Sequence, residues 1–357
     1  MCDKQASSVR QDLRARSELP KHQGMEKIGI IGGGAWGTAL AIVARRAGRE
    51  VVLWAHEDDV VASINANREN VSYLPGVTLD AGIKATGSLA EAVSADAVIL
   101  AAPSQHLRSL CEQAAPAWRR KVPAVICAKG IEQRTGLLMG EVVADVLPQA
   151  PITILSGPTF AAEVAADLPT ALTLAAESTR LRQRLSDALA TPTFRIYSSD
   201  DPIGAQVGGA VKNVLAIACG IVVGRRFGDN TRAAIMTRGL AEITRLGLAK
   251  GANMETLMGL TGVGDLILTC HSMKSRNFSL GVELGQGRDA ADVLSERTSV
   301  AEGVFSASSV TQLAGRLGVD MPICLAVDAV LNHGLDLDVA ISALMARPMK
   351  SESVTAG

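Results

Sequence analysis

The first half of the chain is a series of short apolar runs separated by helical patterns. Lys27-Ile28-Gly29-Ile30-Ile31, Glu50-Val51-Val52-Leu53-Trp54, Ala97–Ala102, Ala124–Ala128 and Ile152–Leu155 are dominated by β-branched and small apolar residues. Strands that are apolar on both faces belong in a parallel sheet covered on both sides. Between the first two runs, Thr38–Ala47 has helical periodicity and stops at Gly48, a residue suited to a helix end. Ala171–Ala175 and Phe194–Tyr197 give two further strands. After about Asp200 the period changes. Ala233–Ala249, Met254–Gly259, Ser279–Leu284, Ala290–Glu296, Phe305–Leu317 and Cys324–Asn332 read as helices, with no convincing strand among them. The pattern predicts an α/β fold in which an N-terminal doubly wound sheet, residues 25–199, precedes an all-helical C-terminal domain, residues 200–357. The polar stretch Ser198–Pro202 marks the boundary. Residues 1–24 mix both charge signs without an apolar run, which predicts a disordered leader and not a secretory signal.

Composition narrows the partners. With 357 residues, 48% of them hydrophobic, the chain can fill two cores. A net charge of −1 provides no global field for nucleic acid or an anionic membrane. The longest apolar segment, Ile203–Gly224, contains Gln206, Lys212 and Asn213. It reads as a buried core helix, and no membrane span is expected. The six cysteines are scattered without a C-x-x-C pair, and the five histidines lack ligand spacing. Reduced, mostly buried thiols of an intracellular protein and no metal are expected. His106 and His333 read as ordinary histidines, and Arg225-Arg226 as a solvated helix end.

Two features carry chemistry. Gly32-Gly33-Gly34-Ala35-Trp36-Gly37 is G-x-G-x-x-G set between a strand and a helix. In that setting Gly32 permits the turn, Gly34 lets backbone approach a pyrophosphate, and Gly37 lets helix and strand pack closely. This makes the sheet a Rossmann-type NAD(P)-binding domain. No acid stands at the end of the second strand, where His56 takes the adenosine-facing place. NAD or NADP is expected to bind, with NADP ahead. The second feature is Lys212, carried within Ala210–Cys219. Burial lowers an ammonium pKa and makes Lys a proton donor and acceptor near neutral pH, although a Lys can also snorkel to the surface from such a helix.

Further segments coincide with one family. Gly32–Leu40, Ala128-Lys129-Gly130, Ser156-Gly157-Pro158-Thr159-Phe160-Ala161, Gly208-Gly209-Ala210-Val211-Lys212-Asn213, Thr237–Glu242, Gly262-Val263-Gly264-Asp265-Leu266, Ser275-Arg276-Asn277, Glu302-Gly303 and Met321-Pro322-Ile323 occur in order. From Met25 to Met345 the chain resembles NAD(P)-dependent glycerol-3-phosphate dehydrogenase of the bacterial type. The resemblance implies reversible reduction of dihydroxyacetone phosphate to sn-glycerol 3-phosphate for glycerophospholipid synthesis, in the cytoplasm, by an enzyme that is often a homodimer.

It also implies roles. Lys212 is the general acid and base, with Lys129 and Asp265 as its catalytic neighbours. Gly32, Gly34, Ala35, Trp36, Gly37, His56, Lys129, Ala161, Arg276, Val300 and Glu302 contact the coenzyme. Lys129, Gly157, Thr159, Lys212, Asp265, Ser275, Arg276 and Asn277 contact the substrate, with Ser275-Arg276-Asn277 as a phosphate clamp. An Asp in a glycine-flanked turn can equally cap a helix. The rivals are a β-hydroxyacid or ketopantoate reductase on the same scaffold, and a catalytically dead nucleotide sensor.

Overall fold

The computed structural model describes residues 24–296 and 302–348. The expected leader up to residue 23 and Val300 lie outside the described residues. The sheet half contains, in chain order, β1 (Lys27–Ile31), α1 (Ala35–Arg46), β2 (Glu50–Trp54), α2 (Asp58–Asn67), β3 (Ile83–Thr86), α3 (Leu89–Val93), β4 (Ala97–Leu100), α4 (Leu107–Ala114), β5 (Ala124–Ile126), α5 (Met139–Val146), β6 (Ile152–Ser156), α6 (Ala161–Ala165), β7 (Thr170–Ala175), α7 (Thr179–Leu189) and β8 (Phe194–Ser199). One sheet results, in the order β3-β2-β1-β4-β5-β6-β7-β8. Strands β1 to β6 are parallel, with Ile30 opposite Leu53 on one side and Ile99 on the other.

Two details depart from the sequence pattern. Strand β7 runs antiparallel to β6, and β8 follows β7 in parallel. The β6–β7 link contains one helix of 5 residues, so the chain turns back instead of crossing the sheet. Strand β3 escaped the pattern because Ile83-Lys84-Ala85-Thr86 is short and alternates buried with exposed at the sheet edge.

Past β8 the described chain is helical: α8 (Pro202–Gly224), α9 (Gly228–Ala249), α10 (Met254–Leu257), α11 (Asp265–His271), α12 (Arg276–Gly285), α13 (Ala290–Glu296), α14 (Glu302–Leu317), α15 (Pro322–His333) and α16 (Leu337–Met345). Asp201 opens α8: its carboxylate accepts the Gly204 N–H at 2.8 Å, and Pro202 fills the first helical position. The apolar α8 is long enough to cross a membrane by length and composition, yet 89% of its most apolar window is buried inside the protein. Helices α9, α11, α12 and α14 pack around it. Against α12 the contact is backbone to backbone. A methyl added at Gly220 would lie 2.2 Å from Phe278 O, and one at Gly281 would lie 2.0 Å from Ile217 O.

The segments 237–242 and 321–323 meet through Glu242. Its buried carboxylate accepts the N–H groups of Ile323 at 2.7 Å and Cys324 at 3.1 Å, capping α15. Arg225-Arg226 stand at the end of α8 as expected, with Arg226 exposed, but the half-buried Arg225 guanidinium also pairs with Asp338 at 2.7 Å and ties that end to α16. The five described cysteines are free and buried.

Candidate active site

The turns at the carboxyl ends of the parallel strands form one side of the site, and the helical half meets them there, Lys129 reaching Asp265 and Pro158 lying against Gly264. On the sheet side, the turn after β1 passes through Gly32 at φ +124°, where a methyl would lie 2.8 Å from the Ala101 and Ala102 backbone. Side-chain-bearing residues rarely adopt that conformation. At Gly37 a methyl would lie 1.9 Å from Gly32 O, so α1 rests directly on the turn. At Gly34 nothing lies within 4 Å of the missing Cβ, and α1 begins there without a side-chain cap. A 12-residue helix thus presents its uncapped amino end over open space. An open, donor-rich cradle of this kind fits a dinucleotide pyrophosphate.

Sequence reasoning missed the brace under this turn. Asn70 is fully buried, and its Nδ2 donates to Gly33 O at 2.7 Å and Thr38 Oγ1 at 2.8 Å. No local pattern marks it, because the contact spans 37 residues. His56 is exposed at the end of β2, its ring 6.1 Å from that of Trp54. Trp36 is half-buried on α1 beside the Cys127 thiol.

Three charges meet between sheet and helices. Lys129 follows β5. Lys212 sits in the middle of α8. Asp265 is reached through a π turn, Leu260–Gly264, and opens α11. Asp265 is therefore not a helix cap. Gly264 precedes α11 as its cap residue, and the fully buried Asp265 carboxylate turns to the two lysines. Its Oδ1 accepts from Lys212 Nζ at 2.5 Å and its Oδ2 from Lys129 Nζ at 2.6 Å. Lys212 also donates to Thr269 Oγ1 at 3.0 Å, and Lys129 donates to Gly157 O at 3.2 Å. Thr269, unremarked in the sequence, donates in turn to Asp265 O at 2.7 Å.

Glycines make the meeting possible. A methyl at Gly208 would lie 2.4 Å from Thr261 O in the π turn, and one at Gly209 would lie 3.3 Å from the Lys129 stem. Pro158 packs against Gly264, so the turn holding Gly157 and Thr159 abuts the turn leading to Asp265.

The electrostatics follow from burial. Burial lowers the Lys212 pKa to about 8. The Asp265 carboxylate opposes that shift and the Lys129 charge adds to it. Burial raises the Asp265 pKa, but the two ammonium groups outweigh it and hold the carboxyl below its ordinary value. Glu302, half-buried at the start of α14, is pushed up by burial against the opposing charges of Arg276, Lys129 and Lys212, and accepts an N–H from Ser104.

The clamp residues divide their duties. Ser275 is buried and caps α12, its Oγ accepting from Phe278 N at 3.2 Å. Asn277 is buried and its Oδ1 accepts from Gly303 N at 2.9 Å, joining α12 to α14. Arg276 between them faces the Glu302 charge. Gly157, Thr159 and Ala161 lie on the turn and helix after β6. Val300 lies outside the described residues.

A Rossmann sheet with an open glycine cradle, facing a buried lysine of lowered pKa carried on a helical half, defines a dinucleotide-dependent oxidoreductase of the two-part class. The chain belongs to the NAD-dependent glycerol-3-phosphate dehydrogenase family. Residues 27–182 match the model of that family's N-terminus and residues 201–342 that of its C-terminus. A glycerol-3-phosphate dehydrogenase [NAD(P)+] from Parvibaculum lavamentivorans is 56% identical over 92% of this chain and 98% of its own length. One from Rhodospirillum rubrum is 57% identical over 93% of this chain and 95% of its own length. The crystal structure of glycerol-3-phosphate dehydrogenase from Coxiella burnetii superimposes with a TM-score of 0.87 at 38% identity, covering 90% of this chain and 99% of that one. A ketopantoate reductase from Ralstonia eutropha, at 16% identity and a TM-score of 0.56, shares the fold alone.

Proposed function

We propose that this chain catalyses the reversible NAD(P)H-dependent reduction of dihydroxyacetone phosphate to sn-glycerol 3-phosphate. The observation that carries this reading is the buried Lys212–Asp265–Lys129 cluster at the carboxyl edge of the sheet, in a chain of this family. The coenzyme is NADP or NAD. Gly32, Gly34, Ala35, Trp36 and Gly37 would hold its pyrophosphate, His56 its adenosine side, and Lys129, Ala161, Arg276, Val300 and Glu302 the remainder. When bound, the reduced coenzyme is the source of the hydride.

The protein's own work is proton transfer and charge placement. Lys212 Nζ, protonated, donates to the oxygen developing at C2 of the ketone, and takes the proton back in the oxidative direction. Its pKa of about 8 makes both forms accessible near neutral pH. Asp265 fixes the ammonium in place through Oδ1 and anchors Lys129 through Oδ2. Lys129 keeps a positive charge beside the developing alkoxide. Arg276 supplies the planar donor pair that suits a phosphate, with Ser275 and Asn277 holding its turn, and Gly157 and Thr159 complete the substrate contacts. We further infer a homodimer acting in the cytoplasm, with the product serving lipid synthesis.

The test is NADPH and NADH oxidation by the purified chain, with dihydroxyacetone phosphate as substrate and dihydroxyacetone as control. Oxidation with the phosphorylated ketone alone is expected. Equal rates with both ketones would remove the phosphate clamp, and no oxidation with either would remove the reaction.

A further inference from the structure

Away from the catalytic cluster, the two halves are fastened at separate places. Lys250 pairs with Glu141 at 2.7 Å, Gly140 N donates to Gln206 Oε1 at 2.6 Å, and Arg316 donates to Thr135 O at 2.7 Å. Next to the Ser275-Arg276-Asn277 segment, Lys274 reaches from the helical half to the sheet half. Its Nζ lies 2.7 Å from Glu163 Oε1 and 5.8 Å from the centroid of the Phe160 ring. The positions are specific. Lys274 immediately precedes Ser275-Arg276-Asn277, and Phe160 lies between Thr159 and Ala161. One side chain therefore spans the two turns that would grip opposite ends of the substrate.

We propose that Lys274 is a positioning residue that sets the distance between the Thr159 and Arg276 turns, and so governs the grip on the phosphorylated substrate. The proposal rests on the functional reading above. Side-chain exposures of 63% for Lys274 and 38% for Glu163 make the tie weak. Weakness suits the role: a tie of this kind can open for substrate entry and reform behind it, while the other contacts keep the halves joined. Lys274 itself touches neither Lys212 nor Asp265, so it acts on binding and leaves proton transfer alone.

The experiment is a comparison of K274M, K274R, E163Q and the K274M/E163Q double variant with the wild type. For K274M, the KM for dihydroxyacetone phosphate should rise about threefold to fivefold with kcat unchanged. Arg can keep both the carboxylate and the ring contact, so K274R should stay near wild type. E163Q leaves the ring contact and should raise KM about twofold. The double variant should match K274M, and coenzyme affinity and thermal midpoint should hold in all four. A wild-type KM in K274M, independent effects in the double variant, or a lowered kcat at constant KM would overturn the proposal. Should the wild type fail to turn over the ketone, the functional reading falls. Backbone amide exchange over 158–162 and 272–276 then tests the tie itself. Faster exchange in both turns of K274M supports it, and unchanged exchange overturns it.

Discussion

On its sheet side the site is made by leaving atoms out, and on its helical side by burying charges. Gly32, Gly34 and Gly37 form a cradle in which backbone does the holding and a methyl has no room at two of the three positions. Lys212 and Asp265 do the reverse, placing opposite charges 2.5 Å apart inside an apolar helical core. The first design fails when something is added and the second when something is removed. Binding and chemistry should therefore separate in variants of the two sides.

The largest effect is expected from K212A. Loss of the proton donor should lower kcat by about a hundredfold to ten-thousandfold, while coenzyme affinity, measured by nucleotide fluorescence titration, stays near wild type. Near-normal turnover would remove Lys212 from the chemistry. G37A is the mirror experiment. Its methyl would meet Gly32 O at 1.9 Å and should weaken coenzyme binding about tenfold or more through forced repacking of the turn. At saturating coenzyme, the pH dependence set by Lys212 should survive. A parallel loss of that dependence would mean that the two sides are not separable.

What could be read from sequence follows the same division. The cradle was legible because its glycines, strand and helix are contiguous, and the period-free apolar runs of β1, β2, β4, β5 and β6 announce a covered sheet. The charge cluster was not legible as geometry. Lys129 and Asp265 are 136 positions apart, Lys212 and Asp265 are 53, and only the family resemblance joined them. Thr269 and Asn70 left no signal, since their partners Lys212, Gly33 and Thr38 lie 57, 37 and 32 positions away, and Glu242 was marked only as part of a family segment, without its capping role. Of the two roles the sequence left open for Asp265, the structure shows the carboxylate turned to the lysines and not capping α11, while Ser275, expected at the phosphate from the resemblance, also caps α12.

A smaller effect tests the scaffold behind the charges. G281A would push a methyl to 2.0 Å from Ile217 O, and should cost about 1–3 kcal/mol of stability by overpacking. Thermal denaturation reads this directly. The residual folded enzyme should keep its coenzyme affinity, because the cradle lies in the other half. An unchanged midpoint would show that α8 and α12 can separate freely. The smallest effect belongs to exposed His56. H56A should change the KM for NADPH by less than about fivefold, and that for NADH by less still. A large loss with both coenzymes would mean that a side chain, and not the glycine backbone, dominates the sheet side.

The most direct test of the buried-charge mechanism is the pH profile of kcat/KM in both directions. Lys212 has its pKa lowered to about 8. Ketone reduction needs its protonated form and should fall as pH rises through about 8, while glycerol 3-phosphate oxidation needs the neutral amine and should rise through the same value. Mirror-image profiles that cross near that pH are the expected result. A reductive profile that stays flat from about pH 7 to about pH 9.5 would contradict Lys212 as the proton donor.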